Sequence, residues 1–252
     1  MRGSATSMGG TGRGFPSTVR SDILAAADAG GTGYRALMDG LIRRYWKPVY
    51  AYVRIAWRKG KEDAKDMTQA FFSHLLEDGS LGRLRPERGT FRSWLRASLK
   101  NFLIDARRAD LARRPIAGAL GLDAEPEWLE RLGPAAPGDS PEAAYDREWV
   151  RCLVGESVEA LRVELEAEGK GDWFQVFRKY CLDPAEGAPG GAASPVPTYR
   201  EVAEALGLNE TGVRHRLEHA RTRLRRILRE RILETAASPE DADRELAEVL
   251  GW

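Results

Sequence analysis

Apolar residues recur at steps of three and four along most of this chain, and no stretch alternates with period two for long enough to make a strand. Tyr34, Leu37, Leu41, Tyr45, Val49 and Val53 trace one face of a helix, inside which Pro48 is expected to kink or restart the backbone. Ala64, Met67, Phe71 and Leu75 predict a helix over Glu62–Glu77, broken afterwards by Gly79 and Gly82. Phe91, Leu95, Ser98 and Phe102 predict a third long helix that Pro115 must end. Ser140-Pro141-Glu142 places a capping hydroxyl, a proline and an acid at a helix start, and that helix should run past Trp149 and Leu153 to about Glu166. Further helical segments are expected over Ser21–Ala29 and Trp173–Tyr180. The expected fold is all-α.

The organisation follows from composition. With 252 residues, 42% of them hydrophobic, the chain has enough apolar surface for real cores. It has no run of about 18 apolar residues, so no spanning helix and no membrane partner are expected. Residues 1–20 form a Gly-rich flexible lead; Gly9, Gly10, Gly12 and Gly14 lack the following Gly-Lys-Ser/Thr that a phosphate loop needs. Residues 115–140, rich in Pro, Gly, Ala and acids, read as an interdomain linker with a short helix near Trp128; residues 183–197 read as mobile. Two helical domains are therefore expected, at 21–114 and 141–232, joined by the flexible acidic linker and followed by an acidic helical tail at 233–252. Cys152 and Cys181 are too few for a disulfide framework, and a reduced, cytoplasmic protein is expected.

The net charge of +1 conceals a pattern. Phe91–Arg114 carries a net +5 and Pro115–Glu148 a net −6; Arg214–Arg231 carries +6 and the remainder −5. Such blocks, rather than their sum, set the local field that a polyanion meets.

The second basic block lies in a recognisable motif. Thr198-Tyr199-Arg200-Glu201 has the form of a capping box. A short helix follows with Val202, Ala203 and Leu206 inward, then Gly207 to turn the chain and Asn209 to cap the next helix. That second helix buries Val213, Leu217, Ala220 and Leu224. Two helices across a glycine turn, the second lined with arginine, describe a helix-turn-helix. Arg214, His215, Glu218 and His219 are then expected to face base edges in the major groove, with Arg214 offering two donors to a guanine. Arg216, Arg221, Arg223 and Arg225 are expected on phosphates. The same stretch spells His215-Arg216-Leu217-Glu218-His219, the pattern of an inverted zinc peptidase. Too little chain remains downstream for a further ligand, and Arg214, Arg216 and Arg221 would repel a dication. Neither a metal, nor a cofactor, nor an enzymatic activity is expected. His74 reads as a helix-surface or core histidine.

The front half carries Leu41-Ile42-Arg43-Arg44-Tyr45-Trp46 and Val49-Tyr50-Ala51-Tyr52-Val53-Arg54, then Asp63-Ala64-Lys65-Asp66-Met67-Thr68-Gln69-Ala70-Phe71-Phe72. Phe91-Arg92-Ser93-Trp94-Leu95, Asn101-Phe102-Leu103-Ile104-Asp105 and Arg107-Arg108 follow. This succession resembles the promoter-melting domain of bacterial extracytoplasmic-function RNA polymerase sigma factors, and the helix-turn-helix resembles their second domain, which reads the minus-thirty-five element. The matching segments cover about residues 34–114 and 144–231. The resemblance implies that core RNA polymerase, through its β′ clamp helices and β flap, and promoter DNA are the partners. It implies polymerase docking by Asp63, Lys65, Asp66, Gln69 and Phe72. It implies capture of the melted minus-ten strand by Asn101 at a base edge, Arg92, Arg96, Lys100 and Arg107 at phosphates, and Trp94 by stacking or packing. An anti-sigma factor or a regulatory kinase is a further implied partner.

The chain departs from the family at three places. Family members usually show Asp-Ala-Glu-Asp where this chain has Asp63-Ala64-Lys65-Asp66, a charge change that weakens docking or signals control by modification or by a partner. Residues 183–197 lengthen a connection that is normally short. The tail from Ser238 adds an acidic helix with Leu246, Val249 and Leu250 on one face; it is expected either to fold over the basic DNA helix or to pack on the second domain. The reading is a sigma factor without chemistry of its own. Its rival is a helix-turn-helix transcriptional regulator that does not bind polymerase.

Overall fold

The computed structural model describes residues 32–57, 60–77, 90–111, 140–183, 196–236 and 238–250. The expected flexible lead, the segment Ser21–Ala29, most of the 115–140 linker and most of the 183–197 connection lie outside these. Among the described residues the chain is helical throughout, with no strand. We number the helices α1 (Thr32–Trp57), α2 (Lys61–Glu77), α3 (Phe91–Leu111), α4 (Pro141–Ala167), α5 (Gly171–Phe177), α6 (Tyr199–Leu206), α7 (Glu210–Leu233) and α8 (Pro239–Leu250). α5 runs on into one wider π-helical turn, Arg178–Leu182.

α1 passes through Pro48 without restarting, against the expectation of a break. Proline inside a helix costs about 3 kcal/mol through a lost hydrogen bond and a ring clash. Here Tyr45, Trp46, Val49, Tyr50 and Val53 are all buried around it, and their burial offsets that cost.

The apolar residues gather in two clusters. The first takes in α1, α2, α3, the opening turns of α4 (Tyr145, Trp149, Leu153), the last turns of α7 (Leu228, Ile232) and Ala242 and Leu246 of α8. The second is built from the later turns of α4 (Leu161, Leu165), Phe174, Val176 and Phe177 of α5, Val202 and Ala203 of α6, and Val213, Leu217, Ala220 and Ile227 of α7. α4 and α7 are therefore members of both. Each is long enough to do so, at 27 and 24 residues. An ion pair reinforces their seam, Arg231 of α7 holding Glu156 of α4 at 2.9 Å, and Arg44 of α1 holds Glu234, just past α7, at 2.8 Å.

The helix ends follow their sequence signals. Ser140 Oγ accepts from the Ala143 amide at 3.1 Å, with Pro141 in the first turn. α4 ends at Gly169, whose φ of 72° lets the Lys170 amide reach back to the Leu165 carbonyl at 2.8 Å. Ser238 Oγ caps α8 by accepting from the Asp241 amide.

One buried hydroxyl stands out in the first cluster. Tyr45 is 1% exposed, and its oxygen lies beside Trp149 and Thr235 without meeting hydrogen-bond geometry. A buried unsatisfied polar group costs about 1–3 kcal/mol. Tyr45→Phe should therefore leave stability unchanged or raise it by up to about 1 kcal/mol in urea unfolding. A loss of more than that would show the hydroxyl to be bonded in solution.

Candidate nucleic-acid interface

The α6–α7 unit is fixed at its ends before it is fixed by packing. Thr198 Oγ accepts from the Glu201 amide at 3.2 Å, while the Glu201 carboxylate accepts from the Thr198 amide at 2.6 Å. The Thr198 amide and hydroxyl, both donating to the carboxylate, hold the Glu201 carboxyl below its usual range. Gly207 adopts φ 65° and ψ 31°, which an L-residue with a side chain rarely does, and the chain turns there. Asn209 Oδ1 then accepts from the Gly212 amide at 2.6 Å and opens α7. Val202, Ala203, Val213, Leu217 and Ala220 close the angle between the two helices. The helix-turn-helix expected from the sequence forms here.

Its outward face carries Thr211, Arg214, His215, Glu218, Thr222 and Arg225, all exposed. The two threonines were not expected; they fall on this face by helical spacing and bring hydroxyls that can bond phosphate or base. Arg214 does not project alone. Its guanidinium lies 5.6 Å from the Tyr199 ring, which stacks on Tyr180 at 5.3 Å, and Arg221 sits 5.3 Å from the far tyrosine. The tyrosine pair supports two arginines seven residues apart on one flank of α7.

The other flank differs from expectation. His219 is half-buried rather than outward, its ring edge-on to Trp173 with the ring centroids 4.7 Å apart, and its Nε2 is buried and unpartnered. Burial, with Lys170 and Arg223 nearby, pushes its pKa down. His215 also meets Trp173, at 5.3 Å, but keeps its exposure. Arg216 donates to Asp172 at 2.9 Å and to the Gly212 carbonyl. Arg223 pairs with Glu168 at 2.5 Å and Glu164 at 3.2 Å, and that partnership holds the Glu168 carboxyl down at about 2. Arg216 and Arg223 thus hold α5 and α4 to α7, so phosphate is not their partner in this state.

The first cluster presents a second set of expected residues, and the structure divides them. On α3, Lys100, Asn101 and Arg107 are exposed and Trp94 is half-buried, tilted against Phe91 at 5.6 Å. Trp94 is therefore a packing residue here rather than a free platform. Arg107 donates to the Ala56 carbonyl and lies 5.7 Å over Trp57. At about 100° per residue, Arg92, Arg96, Lys100 and Arg107 share one side of α3, while Trp94 and Asn101 lie on the opposite side. The side chains that the resemblance assigns to one melted strand therefore fall on two sides of α3.

Arg92 departs most. It is 4% exposed, and its guanidinium meets Asp146 of α4 at 2.5 Å and Glu245 of α8 at 2.7 Å, with Glu248 at 3.8 Å and the Trp149 ring at 4.8 Å. Arg96 takes the other Asp146 oxygen at 2.6 Å. Sequence reasoning missed Asp146, Glu245 and Trp149 because they lie far from Arg92 along the chain. The tail likewise does not lie over the outward face of α7. α8 packs chiefly on the C-terminal end of α7, where Arg229 holds Asp243 at 2.6 Å, and it reaches α3 through Glu245 and Glu248 on Arg92.

On α2, Asp63 and Asp66 are exposed and Lys65 is half-buried. Gln69 and Phe72 are buried; Phe72 stacks on Trp46 at 5.7 Å and belongs to the core, so it is not available to a docking partner. His74 is on the surface, its ring 5.4 Å from Phe102.

No helix among the described residues is long and apolar enough to cross a membrane. Comparison with family models, curated proteins and solved structures finds no match to this chain.

Proposed function

We propose that this chain is a sigma factor: it binds core RNA polymerase and directs it to promoters, reading the minus-thirty-five element with α6–α7 and holding melted minus-ten strand on its first unit. The observation that carries this reading is the doubly capped helix-turn-helix, whose second helix offers Arg214, His215 and Glu218 outward beside a tyrosine-backed arginine flank. The motifs of α1–α3 support the polymerase half. On this reading the chain is two functional units, tethered through 115–140, and it works through binding free energy. A surface that holds melted strand better than duplex shifts the population toward open promoter.

One observation favours a second reading. Gln69 and Phe72 are buried and Lys65 replaces an acid, which leaves Asp63 and Asp66 as the exposed part of the proposed docking face. A helix-turn-helix regulator that never meets polymerase would need no such face. Reconstitution separates the two. Co-elution with core polymerase and a shifted transcription start site support the sigma factor, whereas a chain that binds duplex but not polymerase is the regulator.

The docking orientation has its own test. Arg214→Ala should relax preference at one base pair of the upstream element by about 1–3 kcal/mol. Arg225→Ala should weaken all duplexes alike and reduce the log–log salt slope by about 1. Fluorescence anisotropy over a salt series reads both, and equal loss of specificity in the two variants would reverse the orientation.

A further inference from the structure

The cationic side of α3 is already occupied by the chain's own acids. Asp146 gives one oxygen to Arg92 and the other to Arg96, at 2.5 and 2.6 Å, spanning two arginines as the two free oxygens of a phosphodiester would. Glu245 takes the Arg92 Nε at 2.7 Å with its side chain 1% exposed, and Glu248 faces Nη2. α8 brings both glutamates. It is seated by Ala242 and Leu246 in the first cluster and clasped to α7 through Arg229 and Asp243.

We propose that Asp146 and Glu245 stand in for backbone phosphates on Arg92 and Arg96, so that α8 holds the chain in a self-masked state that a single-stranded nucleic acid must displace. The proposal rests on the reading of α3 as the strand-binding helix. Three features make the mask releasable. Buried ion pairs roughly balance their desolvation cost, so this pair adds little net stability. The second Glu245 oxygen is buried and makes no well-formed hydrogen bond, with only the Thr90 hydroxyl close to the carboxylate. The other contacts are open to water: Glu248 is 71% exposed, Asp243 56% and Asp146 36%. A strand arriving with several phosphates offers Arg92 and Arg96 equivalent acceptors and adds Lys100 and Arg107 on the same side of the helix. Release of α8 is therefore coupled to strand binding, and the −5 tail competes with DNA at α3 rather than at α7.

The test uses the full chain, a fluorescein-labelled single-stranded deoxyoligonucleotide, and the variants Glu245→Gln and Asp243→Asn. Asp243→Asn removes the exposed clasp without touching Arg92, so it remains informative if Glu245→Gln fails to fold. Single-strand affinity should rise about tenfold in each variant that unfolds cooperatively, which corresponds to about 1.4 kcal/mol. Duplex binding through α7 should not change. In the wild type, added oligonucleotide should lower amide-exchange protection over 239–248. Single-strand binding that is measurable but equal in all three proteins, with α8 protection unmoved, overturns the mask and leaves the sigma-factor reading standing. No single-strand binding by any of them, alone or with core polymerase, overturns both.

Discussion

Arg92→Met is expected to cost about 3–5 kcal/mol at neutral pH, because it removes one partner from a buried ion pair and leaves the other charge in place. The partner is Glu245, whose side chain is 1% exposed. Burial already raises its pKa, against the lowering influence of Arg92 and of the Thr90 hydroxyl; Glu248 adds to the rise. Without Arg92 the rise must grow. A raised folded pKa means that the native state keeps a proton that the unfolded chain releases. That contribution is fully present below the ordinary carboxyl value of 4.5 and is lost as pH climbs through the raised folded value. The stability gap between wild type and variant should therefore be widest near pH 7 and should narrow toward pH 4. Urea unfolding across that range checks it, and a gap that is small or independent of pH would mean that Glu245 reaches water.

Trp149→Ala should be comparably severe, at about 3–5 kcal/mol for an aromatic truncated in a packed core. Trp149 is 3% exposed and lies in the first cluster, yet it comes from α4. Its ring supports the Arg92 guanidinium at 4.8 Å. The two substitutions should consequently fail to add: a double-mutant cycle should return a coupling of about 0.5–3 kcal/mol, whereas independent sites agree within about 0.3–0.5 kcal/mol. Additivity within that band would place Trp149 in the core with no part in holding Arg92.

Much of the fold could be read from local chemistry. Ser140, Thr198, Asn209 and Ser238 cap where their side chains suggested and Gly207 turns where its lack of one allows, because a cap needs only residues within a turn of itself. On α7 spacing picked out Val213, Leu217 and Ala220, but Leu224 is only half-buried, and Ile227, Leu228 and Ile232 complete the buried side. α2 resisted the same treatment. Met67, Thr68, Phe71 and Phe72 are all buried, so its interior side is wider than a simple stripe, and Phe72 and Gln69 were expected at a partner surface. Arg92 and His219 resisted for another reason. Arginine is almost never fully buried unless paired, and its partners Asp146 and Glu245 are 54 and 153 residues away. His219 sits at the edge of the outward arc, and Trp173, brought up by α5, decides which way it turns. Long-range partners fixed these side chains, and periodicity carries no trace of them.

α4 and α7 run like two girders through both apolar clusters. An event at either end of a girder cannot stay local, because residues such as Trp149 and Leu165, or Leu217 and Ile232, are spaced by unbroken helix. A load placed on one end of α7 would therefore be felt in both clusters, with Leu228 and Ile232 carrying it into the first.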